Sequence, residues 1–239
     1  MNTKRIINKH QIVIKSSTKA IFLHIYYPYL CDELIKKLKK IPFRFNLYVN
    51  LVIGNSDNLK EKILTNFPDA KVNISPNQGM DVGGQLRTLD CWLKSGHNED
   101  FLIFVHTKKS YFRRNSLISI ISPKKIPSIE QMFLNKNIGM VGTKKWNLYP
   151  GITWGDPIDF CDYYCNIFKL NNFKDNSFGF IGGTMFWVRS KIYKKVFKNV
   201  DIIKLVEELE PYSAGGKIHA LERILGYIVF NEGYTIEGV

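Results

Sequence analysis

Acidic residues are scarce in this chain: 21 Asp and Glu stand against 34 Lys and Arg, a formal charge of +13 over 239 residues. The imbalance points to an anionic partner, such as a nucleotide, an acidic polymer or a phospholipid surface. No arginine-rich block or zinc-finger spacing accompanies it, so sequence-reading of DNA is a poor fit and no nucleic acid is expected as partner. Cysteine is rare too, and Cys31, Cys91, Cys161 and Cys165 are irregularly spaced. Cys161 and Cys165 lack a second Cys/His pair at ligand spacing, which predicts reduced thiols rather than a zinc site. There is no uninterrupted hydrophobic run of about 18 residues and no signal-peptide pattern. A cytoplasmic protein is expected, with charge as the means of any peripheral hold on the inner face of the plasma membrane. Internal repeats and low-complexity segments are also missing.

What is present is an ordinary globular composition, 45% hydrophobic and 23% charged, with 13% aromatic residues. The length suits one α/β domain. Short apolar runs alternate with amphipathic stretches: strands at 20–26, 45–53 and 70–74, and helices at 31–40 and 59–67. Their β-α-β-α-β order assembles naturally as a parallel sheet. A short strand at 12–14 precedes them. Then come a helix near 85–93, a strand FLIFV at 101–105, a basic stretch over 111–136 with helical potential only at 129–134, and a strand at 138–141. Residues 144–177 read as a loop-dominated insertion. A split strand over 178–188 and helices at 192–197, 202–209 and 220–230 complete the chain. The expectation is a single domain over 1–239, with a nucleotide-binding half at 20–110 and an acceptor and catalytic half at 111–239.

Four segments carry chemistry. FLIFV runs into His106-Thr107-Lys108-Lys109-Ser110. Polar groups just beyond the carboxyl end of a buried strand stand where open α/β sheets bind ligands. The cluster reads either as a solvated basic turn or as a diphosphate site: Lys108 supplies charge, His106 and Ser110 supply hydrogen bonds, and Arg113 and Arg114 extend the field. The loop Asn77-Gln78-Gly79-Met80-Asp81-Val82-Gly83-Gly84 enters a helix, and its glycines permit close approach to a ligand. It has no Walker ending, and Asp81 reads either as an N-cap or as a ligand for ribose or base. In GFIGGTMFWVRS, Gly182 and Gly183 before Thr184 suggest a tight backbone beside something bulky, with Phe186 and Trp187 as a sugar platform. The competing reading is a buried strand with a bulge. Finally, His219 and Glu222 are i and i+3 on one helix face, and either could serve as a general base.

Together, HIYYP, NQGMDVGGQL, FVHTKKS, GGTMFWVR and HALERILGY resemble the rhamnan synthesis protein F family of bacterial surface-polysaccharide proteins, regarded as glycosyltransferases. The order also resembles the GT-A type of glycosyltransferase: a Rossmann-type, mostly parallel sheet flanked by helices, here a single domain with a loop-rich insertion. In that plan the strand after the nucleotide half ends in a metal-holding Asp-x-Asp. Here it ends in His106-Thr107-Lys108, which meets phosphate directly. This departure from the pattern puts metal dependence in doubt, and no required cofactor is expected. Mg2+ or Mn2+ would need Asp156, Asp159 and Asp162 from the insertion.

The roles that follow from the resemblance are as follows. Glu222 is the base, with His219 second, and Arg223 keeps Glu222 ionised for an inverting attack. His106, Lys108, Lys109 and Ser110 hold the donor diphosphate. His24, Tyr26, Asn77, Gly79, Asp81 and Gly84 hold the nucleotide, and Gly183, Thr184 and Trp187 hold the acceptor. The donor is dTDP-rhamnose or a UDP-sugar, and the acceptor is a glycan or a lipid-linked glycan of capsule, O-antigen or rhamnan. The alternative is a non-catalytic nucleotide- or sugar-binding member of a polysaccharide assembly system.

Overall fold

The computed structural model describes residues 17–54, 58–148, 158–171, 178–210 and 216–239. The strand expected at 12–14 and Asp156 lie outside the described residues, as does the side chain of Asp159. Strands β1 (Lys19–Ile25), β2 (Asn46–Val52), β3 (Lys71–Ser75) and β4 (Phe101–His106) alternate with helices α1 (Cys31–Leu38), α2 (Leu59–Asn66) and α3 (Met80–Lys94). Helices α4 (Tyr111–Ile118) and α5 (Ile126–Met132) lead to β5 (Ile138–Gly142). A small ribbon pairs β6 (Asn147–Leu148) with β7 (Phe180–Ile181), and α6 (Ile158–Phe168) lies between them in sequence. The chain continues through β8 (Phe186–Arg189), α7 (Ser190–Phe197), α8 (Ile202–Glu207), α9 (Lys217–Asn231) and β9 (Thr235–Gly238).

Seven strands form one sheet in the order β3-β2-β1-β4-β8-β5-β9. All neighbours are parallel except β8, which runs antiparallel to both β4 and β5. Strands from both expected halves of the chain share this sheet. Helices cover both faces, as the near-continuous apolar runs of β1 and β4 require. On one face, Phe22, Leu102 and Phe186 pack against α3, α6, α7, α8 and α9. On the other, Ile21, Ile103 and Trp187 pack against α1, α2, α4 and α5.

Three expectations need correction. Residues 158–168 are not loop: α6 buries Cys161, Tyr164, Cys165 and Phe168 in the first core, and the i, i+3, i+4, i+7 spacing of those four explains why. Residues 111–118 are helical although only 129–134 was expected to be, because Ser110 caps the turn and Leu117 and Ile118 are buried. A ninth strand pairs with β5 where only a chain end was foreseen. The four cysteines are free. Burial pushes the Cys161 and Cys165 thiols up to about 12 and about 11, which keeps them protonated and unreactive. Among the described residues no helix is long and apolar enough to cross a membrane.

Candidate active site

The parallel strands deliver their side chains in register. Tyr48, Phe22, Phe104 and Phe186 lie opposite one another on β2, β1, β4 and β8, with ring centroids 5.5, 5.0 and 4.8 Å apart along the row. Two residues further along, the same face changes character. Asn73, Asn50, His24 and His106 occupy the next row across β3, β2, β1 and β4. Asn73 donates to Asn50 Oδ1 at 2.8 Å, and Ser75 Oγ donates to the same oxygen at 2.9 Å. Asn50 Nδ2 lies 3.2 Å from His24 Nδ1. An amide nitrogen is a donor only, so His24 Nδ1 accepts and Nε2 carries the proton. Burial, then the neighbouring His106, push the His24 imidazole down to about 4, so it is neutral at physiological pH.

Helix α3 lies over this row because two glycines let it come close. A Cβ on Gly84 would stand 2.0 Å from His24 Nδ1, and one on Gly83 would stand 1.9 Å from the Gln78 carbonyl oxygen. These glycines serve packing, which corrects two expectations. Gly84 makes room for His24 and not for a nucleotide. His24 is enclosed under α3 and has no surface to offer a ligand. Gly79 takes a left-handed φ of +70° at the helix start, and its Cα faces Leu209, so it too packs against protein. Asn77 is half-buried beside this turn, and its Oδ1 is enclosed without a hydrogen-bond partner. Tyr26 is half-buried at the end of β1; its backbone N–H donates to Thr107 Oγ1 at 3.0 Å, and its ring stands edge-on to Tyr27. Thr107 N–H in turn donates to the His24 carbonyl, stitching the ends of β1 and β4 together.

Asp81 is neither an N-cap nor solvent-facing. From the first turn of α3 its Oδ2 lies 3.1 Å from His106 Nε2 and 3.8 Å from Lys108 Nζ, and it accepts from Thr184 Oγ1 at 3.1 Å. Burial alone would raise its pKa. His106, Lys108 and His24, with the Thr184 hydrogen bond, outweigh burial and hold the carboxyl below its usual value. His106 is enclosed, and both ring nitrogens face oxygen: Nδ1 is 2.9 Å from the Thr107 carbonyl, and Nε2 is 2.8 Å from the Gly183 carbonyl. Lys108 is partly exposed and Lys109 exposed, while Ser110 caps α4 by accepting from the Arg113 N–H. One residue fixes this whole loop. Arg114 donates from Nη1 to the carbonyls of Lys108 and Lys109, at 2.9 and 3.3 Å, and pairs through Nε with Glu33 of α1 at 3.1 Å.

Opposite stands the turn Gly182-Gly183-Thr184. Gly183 and Thr184 both have positive φ, +82° and +49°. A β-branched residue there is strained, and the surroundings over-determine it: Gln85 Nε2 donates to the Thr184 carbonyl at 2.8 Å while its hydroxyl holds Asp81. Gly183 N–H donates to Glu222 Oε1. Burial raises the Glu222 pKa, and nearby Asp81 adds to this; the Gly183 N–H, Arg223 and Lys108 only partly offset it. This corrects the expectation that Arg223 keeps Glu222 ionised. Adjacent residues on a helix diverge, and Arg223 turns back to the His219 carbonyl at 2.7 Å and lies over Phe180. His219 is exposed at the margin, and burial of part of the ring, then Arg223, lower its pKa.

The acceptor platform is the other correction. Trp187 is sealed in the second core, donating to the Ile120 carbonyl at 3.1 Å, and Phe186 is sealed in the first. Successive strand residues point to opposite faces, and helices cover both, so neither ring can meet a sugar. Thr184 is enclosed as well; of the three expected acceptor residues only Gly183 retains open surface. Asn50 and Gln85 were not foreseen as site residues, and Arg114, expected only to extend the positive field, instead anchors the loop. Asn50 left a signal, a polar side chain inside the apolar run FNLYVNLVI.

Asp81, His106, Lys108, Gly183, Thr184 and Glu222 thus converge from four separate stretches of chain. A match to the profile of rhamnan synthesis protein F spans residues 1–234. The chain belongs to the rhamnan synthesis protein F family. That membership ties it to polysaccharide synthesis, and every segment of the site falls inside the matched span. A search of curated proteins finds no match. Among the described residues of this family member, no group of three or more His, Cys, Asp or Glu is arranged to hold a metal ion.

Proposed function

We propose that this chain is a nucleotide-sugar-dependent glycosyltransferase of GT-A-like plan, passing a sugar from dTDP-rhamnose or a UDP-sugar to a bacterial surface glycan or its lipid-linked precursor. The observation that carries this reading is the pairing, across the Gly183 turn, of a carboxylate with raised pKa and a cation-bearing loop. An inverting displacement needs both. The acceptor hydroxyl oxygen bonds to the anomeric carbon as the bond from that carbon to the diphosphate oxygen breaks. Glu222 takes the hydroxyl proton, and the leaving oxygen keeps the electron pair. A base with raised pKa is better matched to that proton than an ordinary carboxylate.

Lys108 has open surface and three donors, so it can turn toward a phosphate oxygen while Asp81 fixes its place. His106 is enclosed and acts by orienting Asp81 and Gly183. Lys109 and the half-buried Asn77 and Tyr26 line the approach to the diphosphate and nucleotide. Positive charge at Lys108 serves the leaving group without a required divalent ion.

Calorimetry against UDP, dTDP, GDP and CMP tests the binding half; preference for one diphosphate is expected. Equal, steeply salt-dependent heats for all four would mean charge alone is at work. Turnover of a UDP- or dTDP-sugar tests the catalytic half. Full activity in excess EDTA is expected, and complete loss restored by manganese would overturn the direct role of Lys108.

A further inference from the structure

The charge of this chain is unevenly spread. Residues 101–155 hold nine Lys and Arg and a single acid, Glu130. Out of this stretch, at the start of α4, stand two exposed aromatic side chains, Tyr111 and Phe112; Phe112 is 83% exposed. Their rings meet edge to face at 5.8 Å, and Arg114 lies over Tyr111. Beside them Trp146 is half-buried with two cations over its ring, Arg113 at 5.3 Å and Lys145 at 5.9 Å. An apolar tip ringed by basic side chains, with aromatic rings and cations interleaved, matches the chemistry of an anionic lipid surface: rings enter the boundary between headgroups and acyl chains, and cations meet phosphate.

We propose that the Tyr111–Phe112 tip, with Lys109, Arg113, Lys145 and Trp146, is a docking face for an anionic phospholipid bilayer. An acidic polymer would satisfy the cations but leave a phenyl ring exposed in water, which is why the bilayer is the better fit. Ser110 and Lys109 join this tip directly to Lys108, and Arg114 holds that join rigid. Docking therefore sets the mouth of the candidate site at the membrane surface, where a lipid-linked acceptor would present its sugar. That last consequence rests on the glycosyltransferase reading; the docking does not.

The test is co-sedimentation of the full chain with phosphatidylglycerol vesicles and, separately, with phosphatidylcholine vesicles. Binding to the anionic vesicles is expected to be at least about tenfold tighter and to weaken with added salt. The double variant Tyr111→Ser/Phe112→Ser should lose about tenfold in vesicle affinity, and Arg113→Gln/Lys145→Gln a similar factor. Both should keep the melting temperature of the parent, and the aromatic variant its nucleotide affinity as well. Equal binding to both lipids, or aromatic variants that sediment like the parent, would overturn the proposal. So would a soluble acidic polysaccharide that binds the parent and the aromatic variants alike while vesicles do not. If vesicles bind as expected but no nucleotide does, the docking face stands and the glycosyltransferase reading falls.

Discussion

Two carboxylates, one at each end of the sheet, show how the same side chain is used in opposite ways. Glu99, beside the start of β4, accepts hydrogen bonds from Asn46 Nδ2 and Trp92 Nε1 and faces His97 Nδ1 at 3.3 Å. Burial would raise its pKa, but these donors outweigh burial and lower it. Glu222, near the other end, is half-buried and accepts one backbone N–H on Oε1, and partial burial raises its pKa. A satisfied carboxylate is a structural part. One with fewer donors is held closer to taking up a proton, and that asymmetry sets Glu222 apart from Glu99.

The comparison breaks most visibly by removing each carboxylate in turn. Glu222→Gln is expected to lower turnover by about 10²–10⁴-fold with little change in melting temperature; an unchanged rate would remove Glu222 from the mechanism. Glu99→Ala should do the reverse. It leaves the buried Trp92 N–H without its acceptor and should cost about 2 kcal/mol in chemical denaturation, with nucleotide affinity intact.

Acidity sharpens the contrast. The folded pKa of Glu99 lies below its unfolded value, so its stabilising contribution is present above the ordinary carboxyl range and fades as pH falls through the folded value. The folded pKa of Glu222 lies above its unfolded value. Its contribution is present below the ordinary range and is lost as pH rises through the folded value. Unfolding free energies of Glu99→Gln and Glu222→Gln should therefore diverge from the parent in opposite senses across the acid range, and the rate of the parent should climb as Glu222 ionises.

Smaller effects test the parts that act at a distance. Arg114→Lys cannot reproduce a fork that spans two carbonyls and a carboxylate. Nucleotide diphosphate affinity should fall by roughly three- to tenfold through Lys108, as calorimetry would read it. Smallest of all, Trp187→Phe should cost about 1 kcal/mol of stability through the lost Ile120 hydrogen bond and leave acceptor KM unchanged. A raised acceptor KM would return Trp187 to the site.

The parallel half of the fold was legible because buried strands must be short and apolar, and FLIFV and AIFLHIY leave few alternatives. The convergence of His106 with the Gly183 turn was legible only as two separate segments. What joins them is the register of four strands and the close approach of α3, neither of which a linear pattern encodes. Asp81 looked like a cap because a helix follows it, yet the side chains that claim it, His106 and Lys108, arrive 25 and 27 residues later in sequence. Trp187 misled for a related reason. In a sheet covered on both faces, an exposed platform and a core residue have the same alternation. The helices at 111–118 and 158–168 were hidden by basic and polar residues whose buried partners lie elsewhere in the chain.

Gly183 has one more implication. Its N–H holds the proposed base, and its carbonyl holds the histidine that braces the phosphate side. Those two groups sit on neighbouring peptide planes that meet at a single α-carbon. The span between the proton-accepting and charge-bearing sides is therefore governed by two torsion angles at one residue, and one of them lies where only glycine rests easily. Reshaping this site for a larger or smaller ligand would have to leave that joint alone and work from the loops around it.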